Sequence, residues 1–522
     1  MSQYYFVGSG IASLAGAAFL IRDGHVSGND ITVFEESQEL GGALDAHGNA
    51  TFGYFMAGSR MFEAKYNATW DHLSFIPSTS DPTISIKQET FQAAAHDPWH
   101  ANARLVNRDG SIAPARSMGF SERERIQLIE LVARPESSLD GKRVTDCFDP
   151  EFFETNFWFE WCSLFAFEPW HSAIEFRRYL RRFIHRFSTI DTQEGVFRSK
   201  YNQYDSMVAP IHRWLVAKGV AFQTGTRVTN IGFADDGDAT TAQAIHCERE
   251  GSAREIPVHR LDRVFITNGS MTADKSFGDM GTRAELDRTG GSGAWQLWKT
   301  LAQDRPEFGH PDVFDGHIEE SSWESFTVTT QGPLFLQLMT HFSGNEPGKG
   351  GLITFKESKW LLTLSMLAQP FFEGQPEGVA VWWGYGLFPN RKGDYVNKTM
   401  AECTGAEILE EVLGHLHFTA HTSALTAAST VIPCMMPYIT SQFLVREAGD
   451  RPQVVPKGST NFAFLGQYCE HPDDVVFTVE YSVRSAQIAV DTLLRLPLRP
   501  TPMYKGLHDP RVIIEALEAM HR

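Results

Sequence analysis

At 522 residues the chain is too long for one hydrophobic core of ordinary size, so two or more lobes with room for an enclosed cavity are expected. Apolar residues make up 42% and charged residues 21%, values that exclude a disordered chain. The formal charge of −18 excludes a general electrostatic partnership with nucleic acid or anionic lipid, both of which it repels at long range.

The opening MSQYYFVGSG enters a strand directly, with no basic segment followed by an apolar one, so no signal peptide is expected. Tyr4 to Val7 read as a strand. Ile11, Leu14, Ala15, Ala18 and Phe19 then recur at helical spacing until Arg22-Asp23-Gly24. Ile31 to Phe34 form a second strand that ends at Glu35. This is a βαβ unit with a glycine-rich turn, in which the third glycine position of G-x-G-x-x-G is Ser13.

Each residue type suits a bound dinucleotide. Gly8 permits the tight turn, and Gly10 lets backbone N–H groups approach a pyrophosphate at the helix N-terminus, beside Ala12 and Ser13. Glu35, with Glu36 next to it, accepts hydrogen bonds from ribose hydroxyls. The competing reading is a structural glycine turn with a solvated Glu35. Gly41 and Gly42 resemble the second glycine pair of FAD-binding oxidoreductase-like folds, which points to FAD rather than NAD.

Residues 120–200 are rich in aromatic residues and arginine and read as mainly helical. Ser172 and Glu175 form a capping box. Phe176, Tyr179, Leu180, Phe183 and Phe187 follow on one face, with Arg177, Arg178, Arg181 and Arg182 on the other. Further on, Met207 to Leu215 read as an amphipathic helix, and Val220–Phe222, Arg227–Ile231 and Val264–Ile266 as strands. The last of these leads to Asn268 and Ser270. Phe326–Thr330, Leu352–Phe355, Trp360–Leu364 and Val379–Trp383 predict a sheet broken by the loop 344–351. Phe462–Leu465 is a strand opening on Gly466, and a helix follows from Glu480.

The fold class expected is α/β: a Rossmann-like FAD-binding domain assembled from residues 1–80, 201–275 and 455–495. A helical cap and active-site lobe (81–200), a mixed α+β substrate lobe with a sheet (276–454) and a C-terminal helical tail (496–522) complete it. Six scattered cysteines (147, 162, 247, 403, 434 and 469) read as reduced, buried thiols of a cytoplasmic protein. No metal site is expected, because the 19 histidines show no H-E-x-x-H spacing, and no G-x-S-x-G elbow marks a serine nucleophile.

Several longer strings carry a family resemblance over nearly the whole chain. They are VGSGIASLAGAAFLIRDG from Val7, GGALD from Gly41, WDHLSFIPS from Trp70, FAFEPWHSAIEFRRYLRRFIH from Phe165 and YNQYDSM from Tyr201. TNGSMT from Thr267, GGSGAWQLW from Gly290 and VFTVEYSVRSA from Val476 add to them. On these residues the chain resembles the oleate hydratase, or myosin-cross-reactive antigen, family of fatty-acid double-bond hydratases. The resemblance implies an FAD-containing hydro-lyase that adds water to the cis-9 double bond of oleate to give 10-hydroxystearate without net redox change. It implies Tyr179 as proton donor to the alkene, and Arg60, Asn268, Ser270 and Gly466 among the cofactor contacts. It also implies a carboxylate site formed by Thr440, Gln442 and Arg446. Without the family, Tyr179 reads as an ordinary core residue on an apolar stripe, and Arg446 as a surface partner of Glu447 or Asp450.

The chain departs from the family in the loop Ala57–Phe62. Family members carry RGGREM there, with a water-activating Glu, whereas this chain has Met61, whose thioether cannot accept a proton at neutral pH. Ser59 is expected to hold the water by hydrogen bond, and Glu63 to point elsewhere if the segment is helical. An abbreviated N-terminus suggests a monomer or weak dimer. The apolar tail residues Val512 to Met520 are expected to dock on the protein body, with weak peripheral membrane contact as the lesser expectation. Two other readings stay open: a flavin-dependent oxidoreductase of desaturase or amine-oxidase type, and a non-catalytic fatty-acid-binding flavoprotein.

Overall fold

A computed structural model describes residues 2–497 and 500–522; Met1, Leu498 and Arg499, which belong to the expected first and last segments, lie outside the described residues. The predicted βαβ unit forms as read. Strand Tyr4–Val7 leads through Gly8 into helix Ile11–Arg22, and strand Ile31–Phe34 returns beside the first in parallel. Gly8 sits at φ 86°, a left-handed conformation that glycine alone adopts without strain. Gly16 lets the helix approach the sheet: a β-carbon there would stand 2.6 Å from the ring of Phe6.

Distant segments complete this sheet. Its five parallel strands lie in the order Phe462–Leu465, Arg263–Thr267, Tyr4–Val7, Ile31–Phe34, Ala221–Gln223. The strands are largely apolar; helices Ile11–Arg22 and Val479–Leu494 pack on them, and so does Phe233, whose ring lies 4.8 Å from that of Phe462. Helix Val479–Leu494 packs against the glycine-turn helix on one side. The expected strand Arg227–Ile231 does not join the parallel sheet; it lies within Thr226–Asp236, part of an antiparallel three-stranded meander with Ala239–Arg249 and Ser252–Pro257.

The second lobe is built on a seven-stranded sheet ordered Ser276–Phe277, Ser429–Met436, Trp323–Gln331, Val379–Gly386, Leu362–Ser365, Leu352–Phe355, Leu105–Val106. Leu105–Val106 comes from the segment expected to be a helical cap, and it pairs parallel to Leu352–Phe355. Between the predicted strands lies a helix, Leu334–Ser343, which the sequence reading did not assign.

One helix departs from its expected surroundings. Ala173–Arg182 makes no side-chain cap bond at Ser172, since Glu175 turns instead to Arg446 (2.7 Å) and Arg451 (3.0 Å). Its arginine face is not solvated either. Arg177, Arg178 and Arg182 are buried, with Arg178 on Glu136 and Glu470 (2.8 Å) and Arg182 on Glu63 (3.1 Å). A periodic pattern of charge looks the same on a solvated helix as on one clamped by carboxylates from other segments.

The tail helix Pro510–Met520 docks on the short helical turn Ile184–Thr189, with the Arg125 side chain donating to the carbonyl of Met520 (2.8 Å). Ile514 and Leu517 face solvent. Among the described residues no helix is long and apolar enough to cross a membrane, and all six cysteines are unpaired.

Candidate active site

A groove of about 730 Å³ runs along the carboxyl ends of the parallel strands, where open α/β sheets bind ligands. Gly8, Gly10, Ala12, Glu35, Glu36, Gly41, Gly42, Arg60, Asn268, Ser270 and Gly466 all line it. Ser13 does not; it is buried one turn along the helix, with its hydroxyl 3.2 Å from that of Thr267. Ser9 and Lys275 also line the groove and escaped the sequence reading. Ser9 occupies a variable position of the motif, and Lys275 is far from it in sequence.

The groove fits a dinucleotide by three independent features. A β-carbon built on Gly10 meets nothing within 4 Å, so the helix N-terminus is open to a ligand that a side chain would exclude. Asn268 is buried with both amide atoms unpartnered, although buried polar groups are nearly always paired. Glu35 is held at the strand end by the Ser9 N–H (2.9 Å), the Ser9 hydroxyl (2.6 Å) and the Ser37 N–H (2.9 Å), which fix its orientation.

A second, smaller cavity of about 120 Å³ adjoins the groove, and Arg60, Phe477, Thr478 and Val479 line both. The loop that carries Ser59, Arg60 and Met61 reaches this junction because the preceding strand, Gly53–Met56, is fastened to the second sheet. Thr329 and Thr327 accept from the N–H groups of Tyr54 (2.8 Å) and Met56 (3.2 Å), and the Ser325 hydroxyl donates to the Ala57 carbonyl (3.2 Å). Alternate residues of one strand thus present three hydroxyls on one face.

Among the described residues Arg60 has no carboxylate partner, and its one side-chain hydrogen bond goes to the Met271 sulfur. Its guanidinium lies 4.9 Å from the centre of the Phe477 ring and 3.7 Å from the Met271 sulfur, and burial lowers its pKa to about 10. It remains a cation at neutral pH, facing the place where the groove meets the cavity. Met61 lines the cavity. Glu63 is not on a helix but on the short strand Phe62–Glu63, and it too reaches the cavity wall. There it accepts from Arg182 (3.1 Å), His185 (2.7 Å) and Arg186 (2.9 Å). Burial alone would raise its pKa, but these partners hold it near 2, so it cannot take up a proton at neutral pH.

Tyr179 is fully buried on the cavity wall, among the rings of Phe165, Phe167, Phe183 and Phe443. Its hydroxyl donates to the carbonyl of Val476 (2.5 Å). Burial, with Tyr66, Glu175 and Asp474 nearby, pushes its pKa well above that of free tyrosine, against the opposing pull of Arg60. Tyr179 therefore carries its proton at any physiological pH.

Thr440, Gln442 and Arg446 are buried and line neither the groove nor the cavity. Thr440 donates to the Ser321 carbonyl (3.0 Å) and Gln442 to that of Ile439 (3.0 Å). Arg446 pairs with Glu175 and, at 3.4 Å, with Glu470, not with Glu447 or Asp450. Its charge is spent inside the protein, behind the helix that carries Tyr179.

Comparison with known proteins agrees with this layout. Cyclohexylamine oxidase from Brevibacterium oxydans IH-35A shares the fold, with a TM-score of 0.54 at 13% identity over 95% of this chain and 99% of that one. The oleate hydratase of Streptococcus pyogenes serotype M49 (strain NZ131) is 38% identical over 98% of this chain and 88% of its own length. The linoleate hydratase of Lactiplantibacillus plantarum is 32% identical over 99% of this chain and 98% of its own. The sequence profile of the MCRA family matches residues 1–490, and the chain belongs to that family.

Proposed function

We propose that this protein is an FAD-dependent fatty-acid hydratase that adds water across the cis-9 double bond of oleate, giving 10-hydroxystearate. The observation that carries the reading is the pairing of a dinucleotide groove with an apolar cavity in which Tyr179 presents a buried, protonated hydroxyl. The two relatives named as hydratases of oleate and linoleate support the substrate class.

An isolated alkene is a weak base, so hydration needs an acid held against one carbon and water against the other. Tyr179 is the acid in this reading. Its proton leaves the Val476 carbonyl for the alkene carbon, and charge develops on the neighbouring carbon. The aromatic walls exclude bulk water, so few competing nucleophiles reach that centre. Ser59 and Arg60 stand at the loop that joins the cavity to the groove. Gly10, Glu35, Gly41, Gly42 and Asn268 would hold the FAD. When bound, it would supply a polarisable ring system, and hydration would leave its oxidation state unchanged because the reaction transfers no net electrons.

The direct test is incubation of the FAD-loaded protein with oleate and analysis by mass spectrometry; absence of 10-hydroxystearate under both reducing and oxidising conditions would sink the proposal. Cofactor binding is tested separately. In Gly10→Val the new side chain enters open groove, so the apoprotein folds normally. FAD then meets strain of about 1–3 kcal/mol, weakening it roughly 10- to 100-fold. Titration followed by quenching of flavin fluorescence measures this.

A further inference from the structure

We propose that Gln193 holds the water that attacks the alkene. This rests on the hydratase reading and names the group that performs one of its steps.

A water that is to bond to carbon must turn a lone pair towards it, so its hydrogens need acceptors on the protein. Ser59, Tyr66, Ser163, Thr189 and Thr478 line the cavity with hydroxyls, of which those of Ser163, Thr189 and Thr478 already donate to backbone carbonyls. The Glu63 carboxylate is fully engaged by Arg182, His185 and Arg186. The indole N–H groups of Trp323 and Trp383 line the cavity without partners, but they only donate and would occupy the lone pair that must react.

Gln193 differs from all of these. It lines the same cavity as Tyr179, is 2% exposed, and has neither Oε1 nor Nε2 hydrogen-bonded. Leaving both groups dry costs about 1–3 kcal/mol each, which an occupant with a donor and an acceptor would recover. Water has both. An alkyl chain has neither, and an ionised carboxylate has no hydrogen for Oε1 and would set its own charge against that oxygen.

The backbone around Gln193 is specialised for this placement. Gln193 has φ 55°, an uncommon left-handed conformation for a residue with a side chain, in the turn after the short helix Ile184–Thr189. Its N–H donates to the Thr189 carbonyl (2.7 Å), and its own carbonyl accepts from Val196 (3.1 Å). Across the cavity wall the amide rests directly on Gly351, where a β-carbon would fall 1.1 Å from Oε1. The amide occupies space that only glycine leaves free.

The step balances without a base of high affinity. The Tyr179 O–H bond breaks as a C–H bond forms, and the water oxygen bonds to the adjacent carbon while Gln193 accepts a hydrogen bond from it. The surplus proton of the resulting oxonium passes through cavity water to the Tyr179 phenolate and restores the acid. Gln193 gains and loses no proton.

The test uses the FAD-loaded protein and oleate in D2O, comparing wild type with Gln193→Leu, which keeps the volume, and Gly351→Ala, which displaces the amide while leaving Gln193 in place. Flavin absorbance and the denaturation midpoint monitor folding. If Gln193 holds the water, both variants form hydroxy acid on the order of 10²-fold more slowly, with little change in KM. They still wash deuterium into recovered alkene, because protonation by Tyr179 survives. Turnover within threefold of wild type overturns the proposal. So does equal loss of hydration and deuterium exchange, or a rise in KM alone, which would make the amide a reader of the fatty-acid carboxyl group. A wild-type protein that yields no hydroxy acid sinks the hydratase reading instead, and this step with it.

Discussion

Tyr179→Phe lowers hydration of oleate by about 10³-fold, within the range expected for loss of a general acid, while flavin binding and the KM for oleate change little. The phenyl ring keeps the packing against Phe165, Phe167 and Phe443, so the aromatic cage persists. Only the hydroxyl is lost, and with it one hydrogen bond to the Val476 carbonyl, worth about 1 kcal/mol of stability. Steady-state kinetics and an oleate-binding titration separate the two effects. Loss of oleate binding at unchanged turnover would instead make Tyr179 a packing residue. Because the Tyr179 proton is held well above neutrality, the wild-type rate should show no loss of this acid between pH 6 and 9.

Glu175→Gln destabilises the protein by about 3–5 kcal/mol, the cost of breaking a buried ion pair from one side. The substitution keeps the volume and removes the charge that Arg451 and Arg446 contact at 3.0 and 2.7 Å. The midpoint of urea denaturation, measured with bound-flavin absorbance, reads the change. Its pH dependence has a definite sign. Burial by itself would raise the Glu175 pKa, but Arg451, Arg446 and Arg178 outweigh it and hold the group near 2, against an ordinary 4.5. A depressed carboxyl contributes its full stability above about pH 4.5 and loses it as pH falls towards 2. Glu63, also near 2, titrates in the same window, so wild type loses stability steeply there. Glu175→Gln starts lower and falls less; a parallel decline would show that Glu175 takes no part in the acid transition.

The same helix explains why stability and chemistry are joined here. Glu175, Arg178 and Arg182 on Ala173–Arg182 tie it to Arg446, Arg451, Glu136, Glu470 and Glu63, segments distant in sequence. Tyr179 sits between these anchors. On the proposed mechanism, a shift of the helix by about 1 Å would move the Tyr179 hydroxyl relative to the alkene.

By itself, the sequence determined the elements that local physics controls. Strand Tyr4–Val7, the turn at Gly8 and helix Ile11–Arg22 are where periodicity and glycine geometry put them, and Glu35 follows at the end of the next strand. Family membership was equally legible, since long strings such as FAFEPWHSAIEFRRYLRRFIH carry it without any coordinates. What only the tertiary structure decided was which polar groups had already been used. Arg446 and Glu63 look available in sequence, yet the folded chain consumes both in buried ion pairs. Gln193 looks like an ordinary loop residue, yet it ends unpaired against Gly351 in the cavity wall. A hydrogen-bonding side chain is free or spent according to partners hundreds of residues away, and no local pattern records them.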